Sequence, residues 1–183
     1  VVSQSSTTRV LILSDRLGGF GYFATEAGFA CDNVVEYQVV LANGRIVNAT
    51  KGNEHDLWLA LKGGANNFGI VTNFVFRTFP LGQVWAGDIY YPVSTLDQQL
   101  DAFYRFTSDP NYDVKAGLIH NFAFTPATGP ILTNLLAYAS PEENPAPFRP
   151  FTSIQPQMMA STKVMTLEAL SAEGGSLSPK SRQ

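Results

Sequence analysis

The chain has 183 residues, 45% of them hydrophobic and 12% aromatic, with a net charge of −3. That is enough apolar material for one domain or two small ones. Acidic and basic residues are interspersed with no basic patch, which removes the footprint of a nucleic-acid binder. No apolar run is long enough to span a bilayer, and the lone Cys31 excludes an internal disulfide framework and a cysteine-based metal cluster.

The chain opens on VVSQSSTT, with no charged-then-apolar leader, so no signal peptide is visible. It closes on EGGSLSPKSRQ, a small and polar stretch that cannot pack. Both ends read as cut or frayed. The run VLIL (Val10 to Leu13) is strand-like and precedes RLGGFGYFATEAG (Arg16 to Gly28), in which Gly19, Gly21 and Ala24 spell G-x-G-x-x-A. A Rossmann reading needs strand, tight turn and helix in immediate succession, so that a pyrophosphate rests on the helix N-terminus. Here Ser14 to Leu17 intervene, Gly28 interrupts the following segment, and the available acid, Glu36, falls early in a strand. On residues alone, an NAD-binding enzyme and a glycine-rich turn that touches nothing both stand.

NVVEYQVVL alternates Val35, Tyr37, Val39 and Leu41 against Val34, Glu36, Gln38 and Val40, a strand with one strongly apolar face. Asn43-Gly44 and RIVNAT follow, which is a hairpin signal. In KGNEHDLWLALKGG, Asn53 caps a helix and Asp56 reaches back to it; Leu57, Trp58 and Leu61 share its inner side, and Gly63-Gly64 stop it. GIVTNFVFRTFP reads as another strand, closed by Pro80. After Leu81-Gly82, VWAGDIYYP is a strand and STLDQQLDAFYRFTSDP an amphipathic helix, capped by Ser94, with Leu96, Leu100 and Phe103 as its buried stripe. AGLIHNFAFT and ILTNLLAYA are strands joined by PATGP, SPEENPAPFRP is a proline-rich loop, and a weak helix spans Thr166 to Ala172. Met158 and Met159 read as core. The class is α+β.

GFACDNVVEYQVVLANGRIVNA together with DLWLALKGGANNFGIVTNFVFRTFP resembles the FAD-linked oxidases of the vanillyl-alcohol-oxidase (VAO) superfamily. More narrowly, it resembles the berberine-bridge-enzyme-like (BBE-like) oxidoreductases of fungi and plants. The likeness runs from Gly18 to about Gln155 and is densest from Gly28 to Pro80; KGGANNFGIVT is its most specific part. The resemblance implies that residues 1–81 are the C-terminal part of a PCMH-type FAD-binding domain. Residues 82–183 would then be part of a substrate domain, an antiparallel sheet with flanking helices that covers the isoalloxazine ring.

The implied cofactor is FAD, and its implied contacts are Gly18, Gly19, Phe20, Gly69, Ile70 and Val71. At the glycines the backbone would approach the cofactor where a Cβ would block it. The implied partners are a small-molecule substrate and dioxygen, with no metal, nucleic acid or membrane. On the substrate sheet Tyr90 and His120 are the candidate contacts, with Tyr91 beside them; parity puts either His120 or Asn121 toward the substrate. Asp32 and Asn33 fix a turn by side-chain to backbone bonds. Cys31 packs in the core, and His55 is a solvated surface residue.

Departures from the family are as informative. Leu17 stands where most relatives carry a first glycine. SSTTRVLILSD replaces the small-residue run that holds a covalent cysteine in many relatives. The histidine-bearing phosphate loop and the C-terminal return segment are not in this sequence. A truncated remnant that does not hold FAD by itself is therefore the alternative expectation, and no catalytic base is identified.

Overall fold

The computed structural model describes Gly19, residues 21–126 and residues 128–177. Their architecture is α+β with two antiparallel sheets. Contacts divide the chain between Pro80 and Leu81 into two compact units. Among the described residues no helix is long and apolar enough to cross a membrane.

In the first unit, α1 (Ala24–Ala27) is a single turn, and a 3-10 turn (Ala30–Asn33) leads into β1 (Val34–Val40). Asp32 and Asn33 fix that corner. The Phe29 N–H donates to the Asp32 carboxylate at 3.1 Å, and the Asn33 amide donates to the Ala27 carbonyl at 2.7 Å. β1 is the middle strand of three, flanked by β2 (Ile46–Thr50) and β3 (Ile70–Phe76), both antiparallel to it. β1 and β2 form the expected hairpin around Asn43-Gly44.

Helix α2 (His55–Leu61) brings Leu57, Trp58 and Leu61 onto Tyr37, Val39, Ala49 and Val71. The Trp58 indole N–H donates to the Val34 carbonyl at 3.2 Å, tying the helix to the first residue of β1. Its start differs from the expected capping box. Asn53 instead donates from its side chain to the Asn48 carbonyl at 2.7 Å and pairs with Thr50, so it completes the turn after β2. Glu54, with a left-handed φ of +50°, takes the cap position and makes no side-chain cap bond.

Both sheets are built from antiparallel pairs, and α1 is only four residues long. The four-residue α1 is not the helix that a dinucleotide fingerprint at Gly19, Gly21 and Ala24 requires, and the strand-like run Val10 to Leu13 lies outside the described residues.

The second unit centres on β4 (Val84–Pro92), which pairs with β6 (Gly129–Tyr138), and β6 pairs with β5 (Ala116–Thr125). Short strands β7 (Met159–Ala160) and β8 (Lys163–Met165) bond the other edge of β4. Register puts Trp85, Ile89, Tyr91, Leu132, Asn134, Leu136, Leu118 and His120 on one face. Helix α3 (Leu96–Ser108) covers that face with Leu96, Ala102, Phe103 and Phe106.

Two details of α3 differ from expectation. A 3-10 turn (Val93–Thr95) precedes it, so Thr95 rather than Ser94 takes the cap position. Its buried stripe runs through Gln99 instead of Leu100, which is 45% exposed. SPEENPAPFRP is more than a loop. A 3-10 turn (Ala146–Phe148) and the short helix α4 (Arg149–Thr152) carry Phe148 and Phe151, both fully buried, with Pro147 and Pro150 in first-turn positions that tolerate proline. Met158 and Met159, expected in the core, are half exposed. Helix α5 (Leu167–Leu177) extends the expected C-terminal helix.

The segment after α2 gives a sharp test of the backbone. A Cβ on Gly64 would lie 2.0 Å from the Ala60 carbonyl oxygen and 2.6 Å from the Phe68 ring. The next residue, Ala65, holds a left-handed φ of +53° that favours glycine. Gly64→Ala is therefore expected to lower unfolding free energy by about 2–4 kcal/mol, whereas Ala65→Gly is expected to be neutral or stabilising by up to about 1 kcal/mol. Denaturant midpoints of the two variants measure the contrast.

Candidate functional site

The candidate residues of the first unit gather at the start of β3. Gly69 is required by the fold itself, since a Cβ there would sit 2.6 Å from the Val40 carbonyl oxygen and 2.7 Å from Val39 Cγ1, and its φ is +145°. Val71 points into the core beside Tyr37 and Val39. Ile70 points the other way and is 66% exposed. Opposite it in register stand Val40 and then Ile46, an apolar row across the face that α2 does not cover. Among the described strands β3 lies outermost beside β1.

Gly19 is buried, with φ +64°, and its carbonyl accepts the Ala30 N–H at 2.8 Å. Gly18 and Phe20 lie outside the described residues. The described groups fit a flavin in one respect: an apolar row, Ile70, Val40 and Ile46, crosses the exposed face beside Gly69.

The candidate residues of the second unit separate. Tyr90 is paired with Thr133, and Thr133 with Asn121, on the face away from α3. His120 is on the α3 face, its ring 5.6 Å from that of Phe103 and 5.4 Å from that of Phe122. One ligand cannot meet both Tyr90 and His120. Of the pair His120 and Asn121, parity gives Asn121 the open face.

His120 instead joins a buried polar chain that the sequence reading missed. Its Nδ1 bonds Asn134 Oδ1 at 2.5 Å, and the Asn134 amide donates to Gln99 Oε1 at 2.8 Å. Asn134 and Gln99 have no exposed surface, and His120 Nε2 is buried with no hydrogen-bond partner among the described residues. The Tyr91 hydroxyl lies beside the same amides and donates to the Phe151 carbonyl at 2.8 Å, which pins α4 to the sheet. The signal for this chain was present. Asn134 interrupts an apolar run at a core-parity position, and Gln99 lies three residues after Leu96 and four before Phe103.

Burial raises the Tyr91 phenol to about 12, against the lowering effect of the Gln99 and Asn134 hydrogen bonds. On the open face, burial raises the Asp88 carboxyl, helped by Glu173, and burial raises Tyr90, helped by Asp88. His55 is exposed at the start of α2, where its Nδ1 lies 3.1 Å from the Lys51 carbonyl. Cys31 is buried, and no three metal-binding side chains cluster among the described residues.

No family model matches the chain. Among curated relatives, an FAD-dependent monooxygenase (elcE) of Phaeosphaeria nodorum is 39% identical over 141 residues, which is 74% of this chain and 42% of that protein. A protein named oligopeptidase PhomG' from Diaporthe leptostromiformis is 40% identical over 149 residues, 80% of this chain but only 12% of its own length. Among solved structures, 6-hydroxy-D-nicotine oxidase of Arthrobacter nicotinovorans superposes with a TM-score of 0.74 at 20% identity, over 89% of this chain and 36% of that one. Physcomitrella patens BBE-like 1 superposes with a TM-score of 0.70 at 23% identity, over 85% and 34%.

The chain is homologous to fungal FAD-dependent monooxygenases and has the fold of VAO-type, BBE-like flavoproteins. FAD is the cofactor of these relatives. The chain spans less than half the length of any protein just named.

Tyr91 predicts a pH dependence for this BBE-like sheet. The folded state raises its pKa from 10.0 to about 12, so the fold keeps a proton that the unfolded chain releases. The stability it contributes is full below pH 10 and is lost as pH rises through about 12. Tyr91→Phe flattens that part of the decline, at a fixed cost of about 1 kcal/mol for the lost bond to Phe151. Urea titrations below and above pH 10 measure both effects.

Proposed function

We propose that the protein is an FAD-dependent oxidoreductase acting on a small molecule. The observation that carries this is the 39% identity to an FAD-dependent monooxygenase across 74% of the chain. The exposed Ile70 side chain beside Gly69 adds structural support. A bound flavin would supply hydride acceptance from a substrate carbon, with dioxygen as the final acceptor.

The chain's own residues bind and orient. Gly18, Gly19 and Phe20 form one contact segment. Gly69, Ile70 and Val71 form the other, with Ile70 offering its side chain. The first unit then acts as the C-terminal part of a PCMH-type FAD-binding domain. The second acts as part of a substrate domain, in which Tyr90 meets the substrate. His120, held by Asn134 on the other face, acts through the position of the strand.

FAD titration tests the reading. Ile70 is already exposed, so Ile70→Glu is expected to leave the melting temperature unchanged. It is expected to weaken FAD binding about tenfold, the loss of one buried aliphatic contact. A chain that takes up no FAD, or an Ile70→Glu variant that binds it undiminished, contradicts the assignment.

A further inference from the structure

Asn48, Ala49 and Thr50 spell N-x-T, the acceptor signal for N-linked glycans. No other asparagine of the chain has Ser or Thr two residues on. The flavin reading makes no use of this triplet. It lies on β2, which is outermost in its sheet among the described strands. Ala49 is fully buried opposite Tyr37, so Asn48 and Thr50 project together to the other face. Asn48 is exposed there, and its side-chain amide makes no hydrogen bond among the described residues.

The backbone around this side chain is fixed. Asn48 pairs with Gln38 of β1, and the Asn53 side chain donates to the Asn48 carbonyl at 2.7 Å. Thr50 Oγ1 accepts the Gly52 and Asn53 N–H groups at 3.2 and 3.0 Å. The cross-strand row through Asn48 is polar, with Gln38 next to it and Asn73 beyond. A hydrophilic substituent on Asn48 Nδ2 therefore displaces no core contact and breaks no hydrogen bond. A buried or paired asparagine would forfeit both.

We propose that Asn48 is a modification site that carries an N-linked glycan. The donor is a polyprenyl-diphosphate-linked oligosaccharide. Asn48 Nδ2 bonds the anomeric carbon of its first N-acetylglucosamine, and the bond from that carbon to the diphosphate oxygen breaks. The amide gives up one proton, polyprenyl diphosphate leaves, and nothing is oxidised or reduced. Transfer precedes folding, because the Thr50 hydroxyl that completes the signal is engaged in the turn once β2 forms. The finished fold keeps the sugar outside. The site requires that the chain pass through the secretory pathway, and it does not depend on the flavin reading.

Trypsin cuts after Arg45 and Lys51, so the signal falls in one short peptide, Ile46 to Lys51. In protein purified from its native cells, mass spectrometry should find that peptide mainly as a glycopeptide. Peptide N-glycosidase should release it with position 48 converted from amide to acid. Variants are compared in the full chain, sent into the endoplasmic reticulum of a eukaryotic host by an added leader. Asn48→Gln and Thr50→Ala should each abolish the glycan, and Thr50→Ser should keep it. Asn73→Gln, on the same row, should leave it unchanged. Made in bacteria, Asn48→Gln should unfold at the parent's urea midpoint, which separates loss of the signal from loss of the fold. An unmodified Ile46 to Lys51 peptide at full yield from native cells, an unmodified chain in the host lumen, or a glycan that persists in Asn48→Gln would each overturn the proposal.

Discussion

The bond between Asn134 and Gln99 decides which way the second sheet faces. Both side chains are fully buried, and apart from His120 and Tyr91 they sit among apolar neighbours. A one-residue slip of β6 would carry Asn134 to the open face and strand the Gln99 amide under α3. It would also turn Leu132 and Leu136 out of the core. Hydrophobic pattern and polar pairing thus demand the same register, and the pairing adds a penalty that a purely apolar strand would lack. Everything on the other face follows. Tyr90, Thr133 and Asn121 line up there because Tyr91, Leu132 and His120 are held beneath α3.

The first unit meets a different constraint, close backbone approach. Gly69 has to pass against the Val40 carbonyl before β3 can join β1. Gly64 has to clear the carbonyl of Ala60. Two of the glycines in KGGANNFGIVT, Gly64 and Gly69, are therefore set by folding. The same geometry leaves Ile70 exposed on the face that α2 does not cover.

Elements with strong periodicity or turn chemistry were legible in the sequence. β1, the Asn43-Gly44 hairpin, β3 and the β5–β6 pair all arise from alternation that only one register satisfies. Caps were less legible. Asn53 and Ser94 are good cap residues by type, but Thr50 and Asn48 claim the first, and the 3-10 turn at Val93 displaces the second. The proline count of SPEENPAPFRP hid a packed turn, because proline is accommodated in a helix's first turn and Phe148 and Phe151 supply the burial. The candidate site was half legible. Tyr90 could be named from its strand, yet parity between His120 and Asn121 could not be resolved without knowing that Asn134 and Gln99 bind each other.

Sidedness of the sheet can be measured by thiol labelling. Cys31 is the chain's one cysteine and is buried, so it contributes a slow background. The comparison is between Asn121→Cys and His120→Cys, adjacent positions on β5, treated with a maleimide under native conditions. The structure requires rapid modification at position 121 and slow modification, limited by opening of the α3 layer, at position 120. Equal rates at the two positions, or faster labelling at 120, would contradict the assignment of faces on which the account rests.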